Sequence, residues 1–134
     1  MVAIIPVPES IIVKKLEDDL ILLEFVHFYG DDELDETQAR TAVAQIHDML
    51  VAEPSKQFTF LVRLAPEKEV RTTLDSNRAY LDIILHKQVR KIAIIFDAQK
   101  HSRSVKFVVD VFQKLTDKIR VFTQEDEGRV WLKV

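Results

Sequence analysis

"KIAIIFD", residues 91–97, is the stretch on which the fold turns. Its apolar residues run on without the alternation of a half-buried strand, as expected for a strand covered on both faces of a largely parallel sheet. Outward from it, "QFTFLVRL" (57–64) and "IRVFT" (119–123) are shorter apolar segments of the same kind. Amphipathic helices are expected between them, over 72–89 and 101–116. Further out, the spacing predicts a helix over 35–52, where Ala39, Ala42/Val43, Ile46 and Met49/Leu50 share one face. Acids crowd its first turn, where the dipole favours them, and Pro54 follows its end. A last helix is expected over 124–133, with Thr123 as its N-cap and Asp126 three residues on. Upstream, "IIVKKLEDDLILLEF" supplies two extended segments, 10–16 and 20–28, around a turn at Glu17–Asp19. Strands alternating with helices predict an α/β fold. The sheet is mixed and mainly parallel, with an antiparallel N-terminal hairpin and about four helices. One domain over 1–134 is expected, with 1–9 as a flexible or edge extension.

Composition narrows the chemistry. With 47% hydrophobic and 31% charged residues the chain is ordinary for a globular domain, and a net charge of −3 invites no nucleic acid. No apolar run is long enough to span a membrane. "MVAIIPVPES" lacks a basic start and is broken by Pro6 and Pro8, so a signal peptide is not expected and a cytoplasmic location is the default. The absence of cysteine removes disulfides, thiolate nucleophiles and Cys-type metal sites. With Gly30 and Gly128 the only glycines, no phosphate-cradling loop can form. His27, His47, His86 and His101 have no metal-ligand spacing, and Asp31, Asp32, Glu33, Asp35 and Glu36 lack the pattern of a calcium loop. That acidic cluster is expected to be a solvated loop and helix start. No cofactor or metal is expected.

Ligands of open parallel sheets sit beyond the carboxyl ends of the strands. That rule draws attention to His27/Phe28, Arg63, Asp97 and Thr123, with His101 just past Asp97. Asp97 and His101 could serve as base and orienter, but no nucleophile or oxyanion signal accompanies them. A strand end and the start of a helix account for both.

The phrases "FTFLVRL", "NRAYL", "VRKIAIIFDA" and "VFTQEDEGRVWL" occur in an order that resembles the SpoIIAA-like proteins, with the STAS fold of anti-sigma-factor antagonists. The chain is most similar to their small stand-alone bacterial group, often labelled STAS/SEC14-like, over about residues 15–134. The resemblance implies a non-enzymatic protein-interaction module, and some relatives are thought to hold nonpolar ligands. It also draws attention to Asp75 and Ser76, because the regulatory antagonists phosphorylate a serine after Asp, followed there by Ser, Gly and Leu. Here Asn77, Arg78 and Ala79 follow instead. As cap or first-turn residues, Asp75 and Ser76 have an ordinary role, in which Ser76→Asp is nearly neutral. Gly128 stands where the family usually has Ala, which is expected to soften the last helix by up to about 1 kcal/mol.

The helices offer a further clue. In 101–116, Val105, Val108, Val109, Phe112 and Leu115 form a core stripe, and Phe107 and Val111 widen it. Lys106, Asp110, Gln113 and Lys114 mark the solvent side. In 72–89, Leu74, Leu81, Ile84 and Leu85 face one way, and Tyr80 and Ile83 widen that arc. Arcs this broad are explained by helix flank packing, by a homodimer or partner surface, or by the wall of an apolar pocket. The leading expectation is a self-associating interaction module, with Phe107, Val111, Tyr80 and Ile83 on its surface. The alternatives are a carrier of a small nonpolar ligand between the two helices, and a phosphorylatable switch at Ser76.

Overall fold

The structure, a computed structural model, describes residues 6–67 and 72–134. In chain order the elements are α1 (Val7–Ser10), β1 (Ile11–Glu17), β2 (Leu20–Phe25), α2 (Asp32–Ala52), β3 (Phe58–Arg63), α3 (Leu74–Ile84), β4 (Val89–Ile95), α4 (Arg103–Leu115), β5 (Ile119–Phe122) and α5 (Glu125–Leu132). The strands form one sheet in the order β1-β2-β3-β4-β5. β1 runs antiparallel to β2 and the remaining pairs are parallel. The predicted α/β class and mixed sheet are therefore present. The expectation for 1–9 divides: residues 1–5 lie outside the described residues, and from Val7 the chain makes the one-turn α1.

Strand order decides where the helices go. β2 to β5 are laid down side by side in sequence, so crossovers of the usual right hand place α2, α3 and α4 on one face. Ile21, Phe60, Ile92 and Ile119 lie opposite one another across four strands and point to that face, into the main core. Their neighbours Leu22, Leu61 and Ala93 point the other way and meet Leu132 of α5. "KIAIIFD" is apolar throughout because Ile92 and Ile94 serve one core and Ala93 and Ile95 the other.

α5 meets its face of the sheet closely at Gly128. A Cβ there would lie 3.2 Å from Ile95 Cδ1, 3.3 Å from Ala93 Cβ and 3.4 Å from Phe122 Cδ2. The glycine is thus a close-approach residue, and a softened helix is the accompanying cost. The expected Thr123 cap does not form, since Gln124 occupies the N-cap position and its side chain makes no cap bond.

α3 ends at Ile84, earlier than the expected 89, because a turn at His86–Gln88 must return the chain to β4. No residue among those described has a positive φ, so none of their helices ends on a left-handed cap. Long side chains take over that task. The buried Gln88 Nε2 shares its hydrogens among the carbonyls of Leu50, Glu53 and Lys56 at the end of α2, at 2.9–3.0 Å. Lys118 Nζ donates to Ile84 O and His86 O after α3, both at 3.1 Å. Arg90 and Lys91 do the same for Leu132 O and Trp131 O of α5.

Candidate functional site

Between the helical face of the sheet and helices α3 and α4 lies an apolar cavity of about 110 Å³. Phe60, Val62, Ile92 and Ile94 floor it, Tyr80, Ile83 and Ile84 of α3 form one wall, and Val105, Val108, Val109 and Phe112 of α4 form the other. An enclosed apolar space of about 150 Å³ takes up benzene, so this one suits a group of a few carbons.

One corner of the cavity is polar and belongs to α2. Asp35 and Gln38 continue the buried stripe of Ala39, Ala42, Ile46 and Leu50 toward the helix start, and both are buried. Asp35 Oδ2 accepts from Ser76 Oγ at 2.7 Å and from the Thr73 backbone N–H at 3.1 Å. Gln38 Nε2 donates to Ser10 Oγ at 2.9 Å and to His27 O at 2.7 Å. Phe25 stacks on Phe28 with centroids 4.9 Å apart and meets Tyr80 edge-on at 5.7 Å, and all three rings line the space. Burial, reinforced by the Asp35 charge, pushes the Tyr80 hydroxyl well above its ordinary pKa and keeps it neutral.

The structure divides the four expected surface residues. Phe107 is 70% exposed and Val111 38% exposed. Ile83 is buried in the core and Tyr80 packs against it, so both face the cavity instead of joining that patch. Leu115, expected in the core, is 57% exposed and belongs with Phe107 and Val111. The buried sector of α4 is centred on Val105 and Val109, and Leu115 lies in its last turn, off that sector. Leu74 and Leu85 are likewise exposed, because the short α3 rolls Ile83 and Ile84 inward.

Ser76 is not a solvated first-turn residue. It is 2% exposed and sits at N3 of a capping box with Thr73, whose side chain accepts from the Ser76 N–H at 3.1 Å. A near-neutral Ser76→Asp does not fit a site beside the Asp35 carboxylate. Asp75 is exposed in the first turn of α3. Asp35 also corrects the reading of the acidic cluster as wholly solvated, since only 5% of it is exposed. Helical spacing carried a signal for it, because Asp35, Ala39, Ala42 and Ile46 share a face.

Of the residues near the carboxyl ends of the strands, Phe28 lines the cavity, and His27, Arg63, Asp97 and Thr123 do not. The Asp97 backbone N–H donates to His101 Nδ1 at 2.8 Å, and the Asp97 carboxylate accepts from the Gln99 N–H. The pair shapes a turn, and burial lowers the His101 pKa against the opposing pull of Asp97. His27 Nδ1 meets Glu67 at 2.8 Å, and His86 Nδ1 accepts from the Gln88 N–H. Arg63 pairs with Glu125 at the start of α5. A second hollow, of about 180 Å³, is lined by Glu17, Asp19, Arg90, Arg129 and Lys133 among others, charges of both signs that define no ligand. No helix among the described residues is long and apolar enough to cross a membrane. Comparison of the chain with family models, curated proteins and solved structures gives no significant match.

Proposed function

We propose that this protein is a non-enzymatic, STAS-like binding module that holds a small nonpolar ligand between α3, α4 and the sheet. The observation that carries the reading is the 110 Å³ cavity with its almost wholly apolar walls. The space is half open, floored by the sheet and walled by two helices, and it is concave and apolar as small-molecule sites are. Titration of the labelled protein with n-butane, followed by NMR, tests it. Saturable shifts at the methyls of Ile92, Ile94 and Val109 are expected, and Val108→Phe, which places a ring in the space, abolishes them. Shifts that are absent, or that survive Val108→Phe, overturn the reading.

Self-association is the second reading, favoured by the exposed stripe Phe107–Val111–Leu115 along the outer face of α4. The three lie four residues apart, one above another on the helix. The two readings use adjoining sectors of α4, with Val108 of the cavity wall next to Leu115 of the stripe.

A further inference from the structure

We infer that the cavity's ligand is a small primary amine with an apolar tail, its ammonium group seated against Asp35. The inference rests on the cavity-binding reading and names the chemistry of the occupant.

It starts from hydrogen bonds that are left over. Both described donors to Asp35 use Oδ2, the Ser76 hydroxyl and the Thr73 N–H. Oδ1 accepts from no group among the described residues. Gln38 spends its Nε2 hydrogens on Ser10 and His27, which leaves Oε1 without a donor among the described residues. The Tyr80 hydroxyl makes no hydrogen bond among them either. Yet no buried side-chain nitrogen or oxygen is both sealed from solvent and unpartnered. These atoms are therefore reachable, and all three residues line the cavity. Asp35 and Gln38 are more than nine-tenths buried and form the polar corner of that space.

The unmet groups are acceptors, apart from a hydroxyl that can accept as well as donate. An acid or phosphate head would be repelled by Asp35. A hydroxyl head supplies one hydrogen. An ammonium supplies three, with a positive charge that a carboxylate in apolar surroundings attracts strongly. The rings of Phe25, Phe28 and Tyr80 beside Asp35 suit a cation further, because aromatic faces attract positive charge. The remaining walls are aliphatic and suit a short tail.

Titration of the labelled protein with n-pentylamine, 1-pentanol and pentanoate, at one pH and salt concentration, tests the inference. The readout is the set of methyl resonances of Ile92, Ile94, Val105 and Val109, so amine bound elsewhere on an acidic protein is not counted. The amine is expected to bind about tenfold more tightly than the alcohol, and pentanoate not at all. Asp35→Asn, which keeps an oxygen for Ser76 and Thr73, is expected to bring amine and alcohol within about threefold of each other. Tyr80→Phe keeps the ring and is expected to weaken the amine a few-fold, which provides a second variant should Asp35→Asn fail to fold. Pentanoate binding as well as the amine, or an amine preference untouched in a folded variant, overturns the inference. If the alcohol binds and the amine gains nothing, the head group is wrong and the cavity reading stands. If no probe shifts these methyls, both fall.

Discussion

The Ser76 hydroxyl donates to the Asp35 carboxylate across 2.7 Å, joining the first turn of α3 to the first turn of α2 in a buried setting. Ser76→Ala leaves Asp35 with the Thr73 N–H as its remaining described donor, and a loss of about 1–3 kcal/mol is expected. Ser76→Asp sets two buried carboxylates side by side and is expected to cost at least about 3 kcal/mol. Urea unfolding at unchanged slope measures both. A phosphate on Ser76 would meet the same carboxylate, so modification requires this contact to open first. A Ser76→Asp variant as stable as the wild type would show that the contact is not kept in solution.

Gly128→Ala sets two effects against each other. Helix propensity favours Ala by up to about 1 kcal/mol. Overpacking a tight contact costs about 1–3 kcal/mol, and here one neighbour is the Cβ of Ala93, which cannot rotate aside. A net loss of about 1 kcal/mol is expected, and Gly128→Val should lose more. Ala93→Gly removes the fixed neighbour and should turn Gly128→Ala from harmful to neutral. Melting temperatures of the single and double variants check the sign.

The exposed stripe on α4 separates surface from core by substitution. Phe107→Asp and Leu115→Asp should both remain folded by circular dichroism, and Val109→Asp, which buries a charge, should not. If the protein self-associates through this stripe, Phe107→Asp should yield monomer in light scattering. Removing a Phe contact worth about 1.5–3 kcal/mol is enough to shift a modest dimer. A wild type that is monomeric at every concentration disposes of self-association.

Arg63 Nε and Nη2 donate to the two oxygens of Glu125 at 2.6 and 2.9 Å. The hydrogen bond to Arg63, ahead of its charge, holds the Glu125 carboxyl below the ordinary glutamate value. Because the folded pKa is the lower one, the unfolded chain takes up the proton first as pH falls. The stabilisation is therefore complete above the unfolded value of about 4.3 and is lost as pH drops through the folded one. The pair is about a third exposed, so about 0.2–1 kcal/mol is at stake. Glu125→Gln should be less stable than wild type at pH 7, and the gap should close in acid. Denaturant midpoints of the two proteins across that range measure it, and a constant gap would sink the assignment.

The α/β class, the mixed sheet and the place of every major element follow from local pattern: runs of β-branched residues, helical spacing, and acids and prolines at helix ends. Even the double-sided burial of residues 91–97 is legible, because a strand with two covered faces cannot alternate. Periodicity also shows that α3 and α4 carry wide apolar arcs. It cannot show which sector of an arc meets the sheet, because the rotation of a helix is set by its partners. That is why Leu115 lies outside and Ile83 inside. The site is a product of tertiary contact in the same sense. Asp35 looks like one more acid at a helix start until α3 is laid against it, and only then do Ser76, Gln38 and Tyr80 close around one corner of a cavity. Burial, which turns a solvated carboxylate into a recognition group, is a property of the assembled layers and of no single stretch of the chain.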